Sequence, residues 1–186
     1  AGGLAVALGD GLPPGTLWFG WSGRRSADPA PPATVIARGI AHATTDLTPA
    51  EYQLYYQGFS NRALYPLLLH RIGLMRFSAA EYDGYNLANA RFAAVLAPLL
   101  RPGDRIWIHD YHLMNAAAEL RALGVRSQIG FFLHIPFPAP DLFLKLPWRD
   151  SLLRAMLEFD LIGFQTARDR RNFVQCLRTF VRDIGI

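Results

Sequence analysis

The chain has 186 residues, of which 51% are hydrophobic and 18% charged, and its formal net charge is +4. This composition supports one domain with a buried core and argues against intrinsic disorder. The basic residues are scattered and all but Lys145 are Arg, so there is no basic patch of the kind that binds nucleic acid.

The first half of the chain alternates short strand patterns with two helical patterns. Residues 1–15 predict a loop that opens a short helix, and the sequence GTLWFGWSG predicts a short strand. The Pro- and Ala-rich segment 24–33 predicts an exposed loop, and residues 34–44 predict one strand with a glycine in its middle. Two helices are predicted next, over residues 48–70 and 82–100.

The second half is the most regular part of the chain. Strands predicted over 105–109, 128–134 and 161–165 alternate with helices over 113–123, 150–159 and 167–181. Three such alternations are typical of right-handed βαβ units. The sequence therefore predicts an α/β fold with a parallel sheet and helices on both of its faces.

Polar side chains follow each of these three strands. The first strand ends in His109, Asp110, Tyr111 and His112, the second in His134, and the third in Gln165 and Thr166. Ligands of open parallel sheets bind beyond the carboxyl ends of the strands, so this rim is the predicted pocket. Thr166 and Asp110 could instead have a structural role, in which their side chains cap the helices that follow. Capping does not explain His134, because Pro136 follows it before any helix can start.

Other kinds of site have less support. A metal-dependent hydrolase built on His109, His112 and His134 remains an alternative, but no Cys pair or second ligand cluster accompanies these residues, and no metal is expected. The chain contains neither a G-x-S-x-G elbow nor a P-loop.

Two further features are ambiguous from the residues alone. The doublet Gly2-Gly3 could form an ordinary turn or approach a phosphate. Tyr56 could be a core aromatic residue of its helix. Tyr65, nine residues later, would lie on roughly the opposite side of a regular helix.

Cellular location is predicted from the cysteine content and the apolar segments. Cys176 is the only cysteine, so no internal disulfide can form and a reducing compartment, the cytoplasm, is expected. The most apolar stretch, residues 129–144, contains three prolines and a histidine and does not predict a membrane span. Because the chain does not begin with Met, an upstream targeting segment stays open.

Seven motifs taken together are more specific than any of them alone. AGGLAVAL, LWFGWSG, YYQGFSNRALYPLLLH, YDGYNLANARFA, IWIHDYHL, IGFFLHIPFP and LIGFQT occur in this order. In this respect the chain resembles the trehalose-6-phosphate synthases, retaining glycosyltransferases of family 20. The resemblance implies the Rossmann-like N-terminal, acceptor-side domain of a two-domain (GT-B) transferase, spanning residues 1–186.

The resemblance also implies roles for particular residues. Gly2 and Gly3 would lie against the donor diphosphate, and Tyr56 would bind the phosphate of glucose 6-phosphate. Asp110 would hold hydroxyls of the acceptor sugar, and His134 would contact the transferred glucose. Trp21 matches a motif on the active-site side, without an assigned role.

The chain also departs from the family pattern. Tyr65 stands where the family usually has Trp lining the acceptor pocket, which puts the acceptor's identity in doubt. A Pro that commonly follows DYHL is absent, as is the basic motif upstream of the glycine loop. The C-terminal nucleotide-sugar domain is also missing, so the isolated chain is expected to be inactive.

The implied reaction transfers glucose from UDP-glucose to glucose 6-phosphate with retention, giving trehalose 6-phosphate. UDP-glucose is then a co-substrate, no cofactor is expected, and the implied partners are the small-molecule substrates and the chain's own C-terminal domain. Nucleic-acid and membrane partners are not expected, and a homo-oligomer stays possible. Two alternatives remain: a related transferase acting on glycerol 3-phosphate or a cyclitol phosphate, and a non-catalytic binding half-domain.

Overall fold

The computed structural model describes residues 12–182 of the chain. They divide into two compact units, residues 12–49 and 50–182. Among the described residues, none of the helices is long and apolar enough to cross a membrane.

The first unit contains a three-stranded sheet. Its strands are β1 (Leu17–Arg25), β2 (Ala33–Ala37) and β3 (Ile40–Leu47), in the order β1-β3-β2. β1 pairs with β3 in parallel, whereas β2 and β3 are antiparallel.

The single strand predicted over residues 34–44 is wrong, because the chain reverses in its middle. Ala37 pairs with Ile40, and the two residues between them, Arg38 and Gly39, have φ angles of 51° and 77°. Two successive residues with positive φ form the tight turn whose twist matches a two-residue hairpin. The glycine that was predicted to interrupt a strand therefore makes the turn of the β2–β3 hairpin.

The second unit begins with a helical region that is broken near its middle. Its parts are α1 (Pro49–Glu51), α2 (Tyr52–Leu64) and α3 (Tyr65–Leu68). The break lies at Gly58, whose ψ of −109° is not helical. A Cβ at Gly58 would lie 2.9 Å from the Gln53 carbonyl oxygen and 2.9 Å from Glu81 Cγ, so only glycine fits there. The single helix predicted over 48–70 is therefore corrected to a broken one.

The next helix, α4 (Ala79–Leu96), packs closely against α2. Ser78 caps its N-terminus by accepting a hydrogen bond from the Glu81 N–H. The Glu81 carboxylate in turn accepts a 2.7 Å hydrogen bond from Arg62 of α2. Gly84 allows the close approach, because a Cβ there would lie only 2.4 Å from Leu54 Cβ.

The predicted α/β fold with a parallel sheet is confirmed in the rest of this unit. Strands β4 (Arg105–His109), β5 (Gln128–Leu133) and β6 (Leu161–Phe164) form a sheet in the order β4-β5-β6, and both pairings are parallel. The helices are α5 (Ala116–Ala122), α6 (Pro140–Phe143), α7 (Arg149–Met156) and α8 (Ala167–Phe180).

Alternate residues of β5 form the centre of the core. Ile129, Phe131 and Leu133 are almost completely buried, as are Leu152 and Met156 of α7. Burial of apolar side chains at this spacing holds the strand in register and fixes where its carboxyl end lies.

Candidate active site

Two neighbouring strands deliver polar side chains to the same edge of the parallel sheet. β4 ends at His109, which Asp110 follows, and β5 ends at Leu133, which His134 follows. His109 is the register partner of Phe132 in this parallel pairing, so both chain segments leave the sheet at one edge. His109 Nδ1 and His134 Nε2 are 3.0 Å apart. The structure therefore brings Asp110 and His134 together, while their roles remain predictions.

The backbone of Asp110 is held in an unusual conformation. Its φ and ψ angles are 70° and 167°, a region that is otherwise almost restricted to glycine and that costs about 1–3 kcal/mol. The Asp110 N–H donates to the Phe132 carbonyl oxygen at 2.9 Å. The Asp110 carboxylate accepts from the Tyr111 N–H at 3.2 Å and also from the His134 N–H. Strain that is held in place at a sheet edge is typical of a functional residue.

The Asp110 carboxyl is poorly solvated. Burial raises the pKa of Asp110 above its ordinary value, although hydrogen bonds from the Tyr111 and His134 N–H groups and the nearby His134 side chain oppose this rise. A desolvated carboxylate gains more from a new hydrogen-bond donor than a solvated one does. Asp110 is therefore suited to accept hydrogen bonds from hydroxyl groups of a ligand.

Tyr56 and Tyr65 both contact the segment that follows Asp110. The Tyr56 ring stacks on His112, with centroids 5.4 Å apart, and the Tyr65 ring is tilted against Tyr111 at 5.8 Å. A regular helix would have placed the two tyrosines on opposite sides. The break at Gly58 changes the phase of the helical region between them. The predicted site residues Tyr56 and Tyr65 thus converge on the loop that carries Asp110.

Helix α4 supports that loop through two buried polar residues that the sequence did not indicate. The Tyr85 hydroxyl donates to the Tyr111 carbonyl oxygen at 2.8 Å and accepts from the Met114 N–H at 3.1 Å. The Asn89 amide donates to the His112 carbonyl oxygen at 3.1 Å. The only signal in the sequence was the four-residue spacing of Tyr85 and Asn89, which places them on the same helix face as the apolar Ala88 and Phe92.

Helix α8 supports the loop after β5 in the same way. The buried Asp169 carboxylate accepts from the Phe137 N–H at 3.1 Å, and the Asn172 amide donates to the Phe137 carbonyl oxygen at 2.8 Å. Thr166 caps α8 by accepting from the Asp169 N–H at 3.2 Å. The capping interpretation of Thr166 is therefore confirmed, whereas Asp169 and Asn172 were not indicated by the sequence.

The other three predicted residues belong to other parts of the chain. Gly2 and Gly3 lie outside the described residues. Trp21 belongs to the first unit, where its indole N–H donates to the Arg24 carbonyl oxygen at 2.7 Å.

The histidines are not arranged as a metal site. Within residues 12–182, no group of three or more His, Cys, Asp or Glu side chains could hold a metal ion. His109 and His134 interact with each other, and His112 lies between the rings of Tyr56 and Tyr111. The alternative of a hydrolase built on these three histidines has no geometric support.

Burial of His112 makes stability depend on pH. Burial lowers the pKa of His112 from 6.5 to about 4, so the unfolded chain takes up this proton before the folded chain does. The contribution of neutral, buried His112 to the free energy of unfolding is complete above pH ~6.5. It is lost as the pH falls toward ~4, and the total loss is on the order of 3 kcal/mol. Urea unfolding measured at pH values from 4 to 8, the range set by these pKa values, should show a free energy of unfolding that falls as the pH falls. This fall gives a slope against pH.

The matched variants isolate the contribution of His112. His112→Gln should reduce the slope and leave the part that comes from His109, because burial lowers the pKa of His109 to about 4 as well. His70→Asn, which removes an exposed imidazole, should keep the full slope. An unchanged slope in His112→Gln would show that another group causes the loss of stability.

Comparison with known proteins identifies the family. The family model "Glycosyltransferase family 20" matches residues 3–183. The chain belongs to glycosyltransferase family 20. The resemblance inferred from the seven ordered motifs is confirmed.

Relatives of this family 20 chain include curated proteins and solved structures. The trehalose-6-phosphate synthase of Sinorhizobium fredii is 46% identical over 182 residues, covering 96% of this chain and 39% of the relative. The UDP-forming α,α-trehalose-phosphate synthase of Burkholderia xenovorans, solved in complex with glucose-6-phosphate, is 45% identical with a TM-score of 0.92, over 96% of this chain and 40% of that one. An Escherichia coli structure bound with UDP-2-fluoro glucose is 45% identical with a TM-score of 0.91, over 100% of this chain and 42% of that one.

The match covers only part of each relative. This family 20 chain spans about two fifths of their length, namely 39% of the Sinorhizobium fredii protein. The match shows the family membership of residues 3–183. The activity of a whole protein is a matter for proposal.

Proposed function

We propose that this chain is the acceptor-side domain of a retaining transferase that moves glucose from UDP-glucose to glucose 6-phosphate, forming trehalose 6-phosphate and UDP. The names of the relatives and the glucose-6-phosphate and UDP-2-fluoro glucose in two related structures support this function. The observation that carries it is the rim where Asp110 and His134 follow neighbouring strands, next to the loop that Tyr56 and Tyr65 contact.

In the proposed site, each residue has a role that suits its chemistry. The desolvated Asp110 carboxylate accepts hydrogen bonds from hydroxyls of the acceptor sugar. The Tyr56 hydroxyl donates to the phosphate of glucose 6-phosphate, and Tyr65 lines the acceptor pocket. His134 contacts the transferred glucose. Gly2 and Gly3 lie against the donor diphosphate.

The proposed mechanism is a front-face attack without a covalent intermediate. A double displacement would need a carboxylate close to the anomeric carbon. Asp110, the carboxylate of this rim, is already held by the Tyr111 and His134 N–H groups and is assigned to the acceptor. The acceptor hydroxyl instead gives its proton to the leaving diphosphate. Catalysis then depends on alignment of the two sugars and on stabilisation of the developing charges.

The rest of the proposal concerns the protein as a whole. Basic side chains of a C-terminal nucleotide-sugar domain bind the donor diphosphate. This domain is the principal partner of residues 1–186. UDP-glucose serves as co-substrate and no cofactor or metal takes part. A cytoplasmic location agrees with the single, buried cysteine Cys176.

A second candidate function differs only in the acceptor. Tyr65 is 42% exposed and its ring contacts Tyr111, which adjoins Asp110. A tyrosine at a position where the family usually has Trp is smaller and adds a hydroxyl, so it could favour glycerol 3-phosphate or a cyclitol phosphate.

A product assay separates these functions. The full-length protein that contains this chain is given UDP-glucose with glucose 6-phosphate, glycerol 3-phosphate or a cyclitol phosphate, and the products are identified by mass spectrometry. We expect trehalose 6-phosphate from the first mixture, and no product from the isolated chain. A product from only one of the other acceptors would support the second candidate. No product from any acceptor would support a non-catalytic binding domain and refute both transferases.

A further inference from the structure

His109 is an unassigned residue that makes a direct contact with a predicted site residue. Its Nδ1 atom lies 3.0 Å from Nε2 of His134, a hydrogen-bond distance, and the ring centroids are 5.2 Å apart. Both imidazoles are partly buried. The contact joins the last residue of β4 to the first residue after β5, so it spans two strand ends of the rim.

This contact couples the tautomers of the two rings. One proton must lie between His109 Nδ1 and His134 Nε2, because two lone pairs or two N–H groups would repel each other. Burial, and to a lesser extent His134, lowers the pKa of His109 to about 4, so His109 is neutral at pH 7. With Nε2 engaged, Nδ1 is the ring nitrogen of His134 left for a ligand.

An aromatic ring packs against each of the two imidazoles. The Trp107 ring lies against His109 at 4.6 Å between centroids, and the Phe132 ring lies against His134 at 4.8 Å. Each aromatic residue is two positions earlier on the same strand, so it lies on the same face of the sheet. Gly163 makes room for Phe132, because a Cβ there would lie 2.6 Å from Phe132 Cδ2. This packing restricts the rotation of the pair.

We propose that His109 is a positioning residue for His134: it holds the His134 ring through Nε2 and directs Nδ1 toward the substrate. The reference to a substrate rests on the proposed transferase function, whereas the positioning itself does not. His109 touches no substrate in this account. Loss of its Nδ1 hydrogen bond leaves His134 free to turn and to exchange between tautomers, while Asp110 keeps its own backbone contacts.

Two substitutions of His109 test the hydrogen bond separately from the imidazole. His109→Leu replaces the imidazole with an apolar side chain of similar size, which cannot form the hydrogen bond. His109→Asn places an amide near the position of Nδ1 and can form it. His70→Asn removes an exposed imidazole elsewhere in the chain and serves as the control. Thermal unfolding of each variant checks that it folds.

Nitrogen-15 NMR of the histidine-labelled chain reports the tautomer directly. We expect His134 in the unsubstituted chain and in His70→Asn to show one fixed tautomer, with well-separated Nδ1 and Nε2 shifts. In His109→Leu the two shifts should move toward the average of an exchanging mixture, and in His109→Asn they should return toward the original values. Averaged shifts in the unsubstituted chain, or unchanged shifts in His109→Leu, would overturn the proposal.

Kinetics of the full-length protein report the consequence for transfer. His109→Leu should lower kcat about tenfold, a loss expected for one positioning hydrogen bond, while KM for glucose 6-phosphate changes less than about twofold. His109→Asn should recover most of the loss. Equal losses in both variants, or a loss in KM alone, would contradict positioning through Nδ1. If the unsubstituted protein made no product, the proposed function would fail, and the NMR result would still decide the role of His109.

Discussion

Asp110→Asn is expected to lower kcat of the full-length transferase about a hundredfold, because hydrogen bonds to a charged acceptor contribute about 1.5–3 kcal/mol each. The substitution keeps the shape of the side chain but removes the charge and one acceptor oxygen. The oxygen that remains is shared among the Tyr111 N–H, the His134 N–H and the hydroxyls of the sugar. Steady-state kinetics with UDP-glucose and glucose 6-phosphate measure the effect.

A matched exposed residue controls for the loss of charge alone. Asp83→Asn carries the same chemical change on the solvent side of α4 and should leave kcat unchanged. Asn has nearly the same shape as Asp and bears the same backbone strain at position 110, so Asp110→Asn should unfold at nearly the same temperature as the unsubstituted protein. Normal turnover by Asp110→Asn would mean that the acceptor binds elsewhere.

Gly84→Ala is expected to destabilise the chain by about 1–3 kcal/mol, although the same change stabilises most helices by about 1 kcal/mol. The added Cβ would lie 2.4 Å from the Cβ of Leu54 on α2. A Cβ is fixed to the backbone and cannot rotate away, so α4 and α2 must move apart. Tyr85, the next residue, would then lose the geometry with which it holds the Asp110 loop. Urea unfolding measures the change.

Two other variants show whether the steric explanation is correct. Gly73→Ala meets no heavy atom within 4 Å and should be nearly neutral. Leu54→Ala still has a Cβ, so it should not rescue Gly84→Ala, whereas Leu54→Gly should restore part of the close approach. Rescue by Leu54→Ala, or a stable Gly84→Ala protein, would contradict this account.

The parallel sheet and its rim could be predicted because they depend on local patterns. The apolar runs 106–108 and 129–133 are each followed by polar residues, and parallel pairing brings their ends to one edge. The β2–β3 hairpin was missed because its turn uses Arg38 with a positive φ. Gly39 suits the second position of such a turn, but the first position usually has Asn, Asp or Gly, and Arg gives no signal there.

The geometry around Tyr65 could not be predicted from helical spacing. The helix breaks at Gly58, where a Cβ would clash with the Gln53 carbonyl oxygen and with Glu81. The contact with Glu81, on another helix, has no local signature in the sequence. The supporting contacts of Tyr85 and Asp169 also join segments far apart in sequence. Motif recognition found the residues at the rim, and the structure adds the residues that hold them.

The most direct measurement is a crystal structure of the full-length protein with glucose 6-phosphate bound. The account predicts a sugar hydroxyl about 2.5–3.0 Å from an Asp110 carboxylate oxygen, with the phosphate toward Tyr56. A bound sugar phosphate that makes no contact with Asp110 would contradict it.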